Sequence, residues 1–131
     1  MICAQIEATL PCDIQRVWEV VTSVEQYAWR SDLSRTEVRN EKEFIEYAKN
    51  GFATWFTVTS AEPYRRWEFE LENSNLKGRW IGKFTPKGAG TEVEFTEYVT
   101  VKNAFLRPFV RFYLNRQQAR FLSDLKRALL R

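Results

Sequence analysis

Between about residues 33 and 101 the chain is interrupted by turn signals so closely spaced that the segments between them can pair only as antiparallel strands. The signals are Asn40-Glu41, Asn50-Gly51, Ala61-Glu62-Pro63-Tyr64, Asn73-Ser74-Asn75 and the stretch from Pro86 to Gly90. A parallel neighbour needs a crossover of roughly a dozen residues or more, and none of these connections supplies one. Six consecutive antiparallel strands follow.

The flanks add one strand and the helices. From Ile2 to Leu10 the apolar side chains Ile2, Ala4, Ile6, Ala8 and Leu10 alternate with Cys3, Gln5, Glu7 and Thr9, the period of a half-buried strand that Pro11 closes. Asp13 is placed to cap a short helix bearing Ile14, Val17, Trp18 and Val21, and Ser23 with Gln26 resembles a capping box for a second short helix. In the last 29 residues Leu106, Val110, Leu114, Gln117, Phe121, Leu125 and Ala128 form one stripe, with most arginines off its centre. Pro108 requires this long helix to start there or to kink in its first turn. The expected architecture is α+β: a seven-stranded antiparallel sheet curled around one long C-terminal helix, in the order β-α-α-β6-α, as a single domain over residues 1–131.

Strand parity then assigns faces. A two-residue Asn50-Gly51 turn sets Tyr47 opposite Thr54 and Ile45 opposite Phe56, and the next hairpin sets Val58 with Trp67, Phe56 with Phe69 and Thr54 with Leu71. Glu68, Glu70 and Glu72 then face water, and Trp55 lies outside beside Glu70. The last hairpin puts Trp80, Gly82 and Phe84 inside with Thr91, Val93, Phe95 and Glu97. Glu97 is the exception on an apolar face, where an unsolvated carboxylate costs several kcal/mol. It sits opposite Gly78, which would leave open space beside it, or opposite Trp80. Ser34, Thr36, Tyr47, Thr54 and Thr91 are the other polar groups expected inside, and Arg30 with Asp32 marks an entrance if the second strand begins early.

Composition narrows the chemistry. Ten Phe, five Trp and five Tyr in 131 residues require a folded core, and those rings can either fill it or line a cavity. No histidine is present, and Cys3 and Cys12 are the only thiols, so His-dependent triads, Cys-His dyads and the usual zinc sites cannot be built. The two cysteines are expected to be reduced, with no metal and no cofactor. No apolar run approaches the roughly 18 residues of a membrane span, and the start lacks a signal-peptide pattern, so a cytoplasmic location is expected. The net charge of +3 is uneven. Residues 103–131 hold seven Lys or Arg against Asp124 alone, leaving 13 basic and 16 acidic side chains in the other 102.

The element order resembles the SRPBCC (START/Bet v 1-like) superfamily, particularly its polyketide cyclase/dehydrase-like branch. The residues that carry the resemblance are "IEATLPCDIQRVWEVVTSVEQYAWR" (6–30), "GRWIGKFTPKGAGTEVEFTE" (78–97) and "FLSDLKRALL" (121–130). The resemblance implies a helix-grip fold enclosing an apolar cavity, and the missing histidines exclude the metal-holding ring-hydroxylase subgroup. The leading expectation is binding of a small hydrophobic or amphipathic ligand. Tyr47, Thr54, Phe56, Trp67, Phe69, Trp80, Phe84, Phe95, Glu97 and Arg30 are its candidate contacts, with Glu97 and Tyr47 orienting the guest. Two alternatives stand beside it. One is a cyclase or dehydratase using Glu97 as general acid or base, with Tyr47 or Arg30 polarising a carbonyl. The other is an interaction module whose basic helix, through Arg107, Arg111, Arg116 and Arg120, meets an anionic membrane, a nucleic acid or an acidic protein. For the leading reading no nucleic-acid partner is expected, contact with a membrane surface is transient, and the chain is a monomer or weak homodimer.

Overall fold

The computed structural model describes residues 1–130. Its elements are β1 (Ile2–Leu10), α1 (Ile14–Thr22), β2 (Leu33–Val38), β3 (Glu43–Ala48), β4 (Ala53–Glu62), β5 (Arg66–Glu72), β6 (Leu76–Lys87), β7 (Gly90–Val101) and α2 (Arg107–Leu129). The strands form one antiparallel sheet in the order β1-β7-β6-β5-β4-β3-β2, so only β1 and β2 are edges. The connection carrying α1 runs from one edge to the other, and the curved sheet wraps α2 in a helix-grip α+β arrangement.

Asp13 caps α1 by accepting from the Arg16 backbone N–H at 2.9 Å, and Val17 and Val21 are the buried face. The second short helix is absent. Ser23 ends α1 in an extended conformation, and the following segment is tied across the fold instead, with the Thr36 hydroxyl donating to the Val24 carbonyl at 3.0 Å. Tertiary bonding here outweighs the local capping signal. At the other end, Asn103 caps a 3-10 turn (Ala104–Leu106) and α2 begins at Arg107 with Pro108 in its first turn, where no backbone N–H is needed. Val110, Leu114, Leu122, Leu125 and Leu129 of α2 are buried, each worth about 1.5–3 kcal/mol relative to exposure. Arg131 lies outside the described residues.

The β3–β4 turn departs from expectation by one residue. The Gly51 N–H donates to the Ala48 carbonyl and the Ala48 N–H to the Phe52 carbonyl, both at 2.9 Å, with Gly51 at φ 87°. This is a three-residue Lys49-Asn50-Gly51 loop in which glycine takes the left-handed position of a bulge. Tyr47 therefore pairs with Ala53 and Ile45 with Trp55, while Phe44 pairs with Phe56 and Glu46 with Thr54. One extra residue turns every β3 side chain over. Phe44 and Glu46 face inward, and Tyr47 faces outward beneath the Arg35 guanidinium, 3.8 Å from its ring.

The β4–β5 register is offset by two, which preserves the face: Phe56 pairs with Leu71, Val58 with Phe69 and, beyond a bulge, Ala61 with Trp67. Trp55 is on the outer face as expected, paired with Glu72 rather than Glu70. Glu70 and Glu72 are exposed, but Glu68 is covered by Arg66 and Arg79, which both bridge to it. The β6–β7 hairpin matches expectation, with Phe84 opposite Val93, Gly82 opposite Phe95 and Trp80 opposite Glu97. Gly78 leaves no open space beside Glu97: it faces Val99, whose Cγ1 would lie 2.7 Å from an added Cβ.

Candidate functional site

The inward residues of β4 to β7 build an aromatic wall. Trp80 stacks on Phe69 with centroids 4.9 Å apart and planes 5° from parallel, and on Phe95 at 5.1 Å. Gly82 makes this possible, because a Cβ there would lie 2.5 Å from the Trp80 indole. Phe44 stacks on Phe56 at 4.8 Å, Trp67 meets Phe69 edge-on at 5.2 Å, and from α2 Phe121 meets Phe95 edge-on at 5.5 Å and Trp29 at 5.3 Å. These rings do not fill the interior. They enclose a cavity of about 110 Å³ between sheet, α2 and the segment after α1. A second chamber of about 120 Å³ adjoins it, sharing Glu46, Glu97 and Gln117 as walls, and an outer cleft of about 670 Å³, bordered by Phe52, Tyr113 and Arg120, shares Asp32, Phe52 and Tyr113 with that chamber.

The shared wall is charged. The Arg30 guanidinium donates to both oxygens of Asp32 at 3.1 and 3.0 Å and to Glu46 Oε2 at 3.3 Å, and it lies 5.0 Å from the Phe121 ring centre. The Gln117 amide donates to Asp32 at 2.8 Å, joining the cluster to α2. One residue away, the Ser31 N–H and hydroxyl both donate to Asp124 at 2.8 Å, and Asp124 also pairs with Arg127. The segment carrying Arg30 is thus fastened to the helix on both sides, although it is irregular in conformation.

Burial and charge set the protonation of the cluster. Burial alone would lower the Arg30 pKa, but Glu46 and Asp32 outweigh it and hold it above its ordinary value. Burial likewise pushes Asp32 up, and Arg30 reverses this so that Asp32 titrates below the usual carboxylate range. Glu46 is raised by burial, with the Asp32 charge adding and Arg30 opposing. Among the described residues Glu97 has no hydrogen-bond partner to relieve it. Burial, then the Glu46 charge, raises it to about 7. Glu46 and Glu97 are half-buried and line both chambers. Tyr113 is raised by burial and by the Glu97 and Asp32 charges, against Arg120. The site accordingly offers a neutral or half-ionised carboxyl beside a fixed ion-paired cluster, within reach of an aromatic-walled space. Among the described residues no group of three or more His, Cys, Asp or Glu side chains could hold a metal ion.

Of the residues singled out from sequence, Arg30, Phe56, Trp67, Phe69, Trp80, Phe95 and Glu97 line the main cavity. Thr54 lines the second chamber, where its hydroxyl accepts from Asn73 at 3.1 Å. Phe84 is buried beyond the wall against Trp18 at 5.1 Å, and Tyr47 is on the opposite face of the sheet. Thr36 lines the cavity, Ser34 is exposed, and Thr91 is buried with its hydroxyl on the Cys12 carbonyl. Asp32 belongs to the charged cluster although β2 begins only at Leu33. Sequence parity missed Glu46, Gln117's bond to Asp32 and the buried Asp124. A three-residue reading of the Asn50-Gly51 turn would have brought Glu46 inside.

Comparison with known proteins agrees with this architecture. The family model described as "Polyketide cyclase / dehydrase and lipid transport" matches residues 1–130. No curated protein matches the sequence. Among solved structures, a START superfamily protein from Mycobacterium smegmatis superposes with TM-score 0.82 at 14% identity, covering 95% of this chain and 94% of that one. A conserved protein from Geobacillus kaustophilus gives 0.86 at 12% identity, covering 98% and 95%. A protein from Thermus thermophilus gives 0.78 at 16% identity, covering 98% and 97%. Identities this low speak for the fold, whereas the family match spans every described residue; the chain belongs to the polyketide cyclase/dehydrase and lipid transport family.

Proposed function

We propose that this chain binds a small, mainly apolar guest of one- to two-ring size in the aromatic cavity, with Glu97 hydrogen-bonded to the guest's polar group. Support comes from the Glu97 carboxyl, half-buried, without a hydrogen-bond partner among the described residues and lining a space walled by stacked rings. A guest that donates to or accepts from this unpaired carboxyl exchanges its hydration for a direct hydrogen bond, worth about 0.5–1.5 kcal/mol net. Each chamber is somewhat smaller than the cavity of about 150 Å³ that takes benzene, which limits the guest to a compact molecule, and Glu97 lines both. Thr54, Phe56, Trp67, Phe69, Trp80, Phe95 and Arg30 form its surroundings, Arg30 by holding Glu46 and Asp32 in place.

A second reading, acid-base catalysis on a bound carbonyl compound, draws on the pKa of Glu97 near 7, which suits proton transfer at neutral pH. Arg30 is committed to two carboxylates and does not serve as the carbonyl-polarising group of that reading. Titration with 2-naphthol, followed by tryptophan quenching through Trp80, tests the binding. Saturable one-site quenching that weakens roughly tenfold in Glu97→Gln supports it. Linear, unsaturable quenching in the wild type overturns it. Turnover of any bound carbonyl compound that Glu97→Gln abolishes while binding persists favours catalysis.

A further inference from the structure

The approach to α2 and its first three turns carry an aromatic cluster outside the main cavity. Phe105, Phe109 and Phe112 are 87%, 68% and 66% exposed, and Tyr113 beside them is also exposed. Scattered exposed rings are ordinary, but rings gathered on one short stretch mark a contact surface. Their spacing of four and three residues, continued by Arg116, keeps them on the side of the helix away from the buried Val110, Leu114 and Gln118.

Arg116 and Arg120 share the rings' side of the helix, Arg107 and Arg111 lie on its flanks, all four are exposed, and Arg116 lies 5.7 Å from the Phe112 ring centre. No Asp or Glu occurs between Asn103 and Ser123. Exposed rings interleaved with guanidiniums have the make-up of a helix that lies in a headgroup layer: aromatic side chains reach the acyl boundary and cations meet anionic headgroups. A second copy of the chain fits poorly, because a two-fold contact would set this arginine-rich patch against itself.

We infer that the N-terminal half of α2 docks this protein on an anionic lipid surface. Phe109, Tyr113 and Arg120 also border the outer cleft, which shares Asp32, Tyr113 and Gln117 with the second chamber. Docking therefore turns this cleft towards the bilayer, the phase in which an apolar guest is most concentrated.

Co-sedimentation with unilamellar vesicles tests this, using phosphatidylcholine alone and phosphatidylcholine with about one-third phosphatidylglycerol. The wild type is expected to bind the anionic vesicles at least roughly tenfold more tightly, with the difference shrinking at high salt. Phe105→Ala/Phe112→Ala removes two exposed rings that do not border the cavity, and should weaken vesicle binding roughly tenfold. Arg111→Glu/Arg116→Glu should abolish the preference for anionic vesicles. In both variants 2-naphthol uptake should be unchanged, which separates failure of docking from failure of the cavity. Equal binding to both vesicle types, no binding to either, or binding that survives both variants overturns the inference. So does a wild-type dimer in sedimentation equilibrium that Phe105→Ala/Phe112→Ala dissociates, or tighter binding to a single-stranded oligonucleotide than to anionic vesicles.

Discussion

Replacing Arg30 by methionine removes the one cation from the charged wall while keeping much of the side chain's apolar stem. In the wild type the guanidinium is only 12% exposed and neutralises Asp32 at 3.0 Å and Glu46 at 3.3 Å. Breaking a buried ion pair from one side costs about 3–5 kcal/mol, because the surviving charge is left enclosed. Glu46 already titrates above its ordinary value with Arg30 present, so without it Glu46 should rise further. A carboxyl whose folded pKa exceeds its unfolded pKa favours the fold fully at pH values below the unfolded value, and loses that contribution as pH rises through the folded one. The penalty of Arg30→Met should therefore be largest near pH 7 and should shrink towards pH 4. Urea unfolding followed by circular dichroism at both pH values measures it. Arg30→Met/Glu46→Leu should return part of the loss at pH 7, since one of the two stranded charges is gone. A loss below about 1 kcal/mol at pH 7, or an equal loss at both pH values, would refute the assignment of Arg30 as the counter-ion of an enclosed acidic cluster.

Three further outcomes follow from the same geometry. With Glu97 raised to about 7, wild-type stability should decline by up to about 3 kcal/mol as pH rises from 4.5 to 8, and Glu97→Gln should flatten that decline; denaturation at several pH values checks the slope. Gly82→Ala puts a Cβ 2.5 Å from the Trp80 indole, so the ring must leave its stack, at a cost of about 1–3 kcal/mol and with a changed tryptophan emission. Tyr47→Phe, on the outer face, should leave 2-naphthol binding unchanged, whereas Glu46→Gln, in the shared wall, should change its affinity and its pH dependence; parallel titrations compare the two.

Much of the fold was legible because period-two alternation is strong in this chain. The inner face of the β6–β7 hairpin, from Trp80 to Phe84 and from Thr91 to Glu97, follows directly from side-chain parity, and Glu97 stands out as the one acid on it. The opposite side of the cavity was less legible. Its second carboxylate, Glu46, depends on whether Asn50-Gly51 forms the whole turn or ends a three-residue loop, and the two choices give opposite faces from the same residues. Arg30 and Asp32 lie in a segment without periodicity, placed by bonds to Gln117 and, through Ser31, to Asp124 on a helix more than 80 residues away. Pairings of that kind leave no local pattern. The failed capping box at Ser23 has the same origin, since the Val24 carbonyl is taken by Thr36 instead of a helical turn.

The enclosed space beside Glu97 as a ligand site is tested most directly by native mass spectrometry of the purified protein, before and after incubation with 2-naphthol and with a delipidated sample as control. One small apolar molecule bound per chain, either co-purified or taken up as 2-naphthol and reduced in Glu97→Gln, is the predicted result. A chain that carries no small molecule and takes up no 2-naphthol at saturating concentration would contradict it.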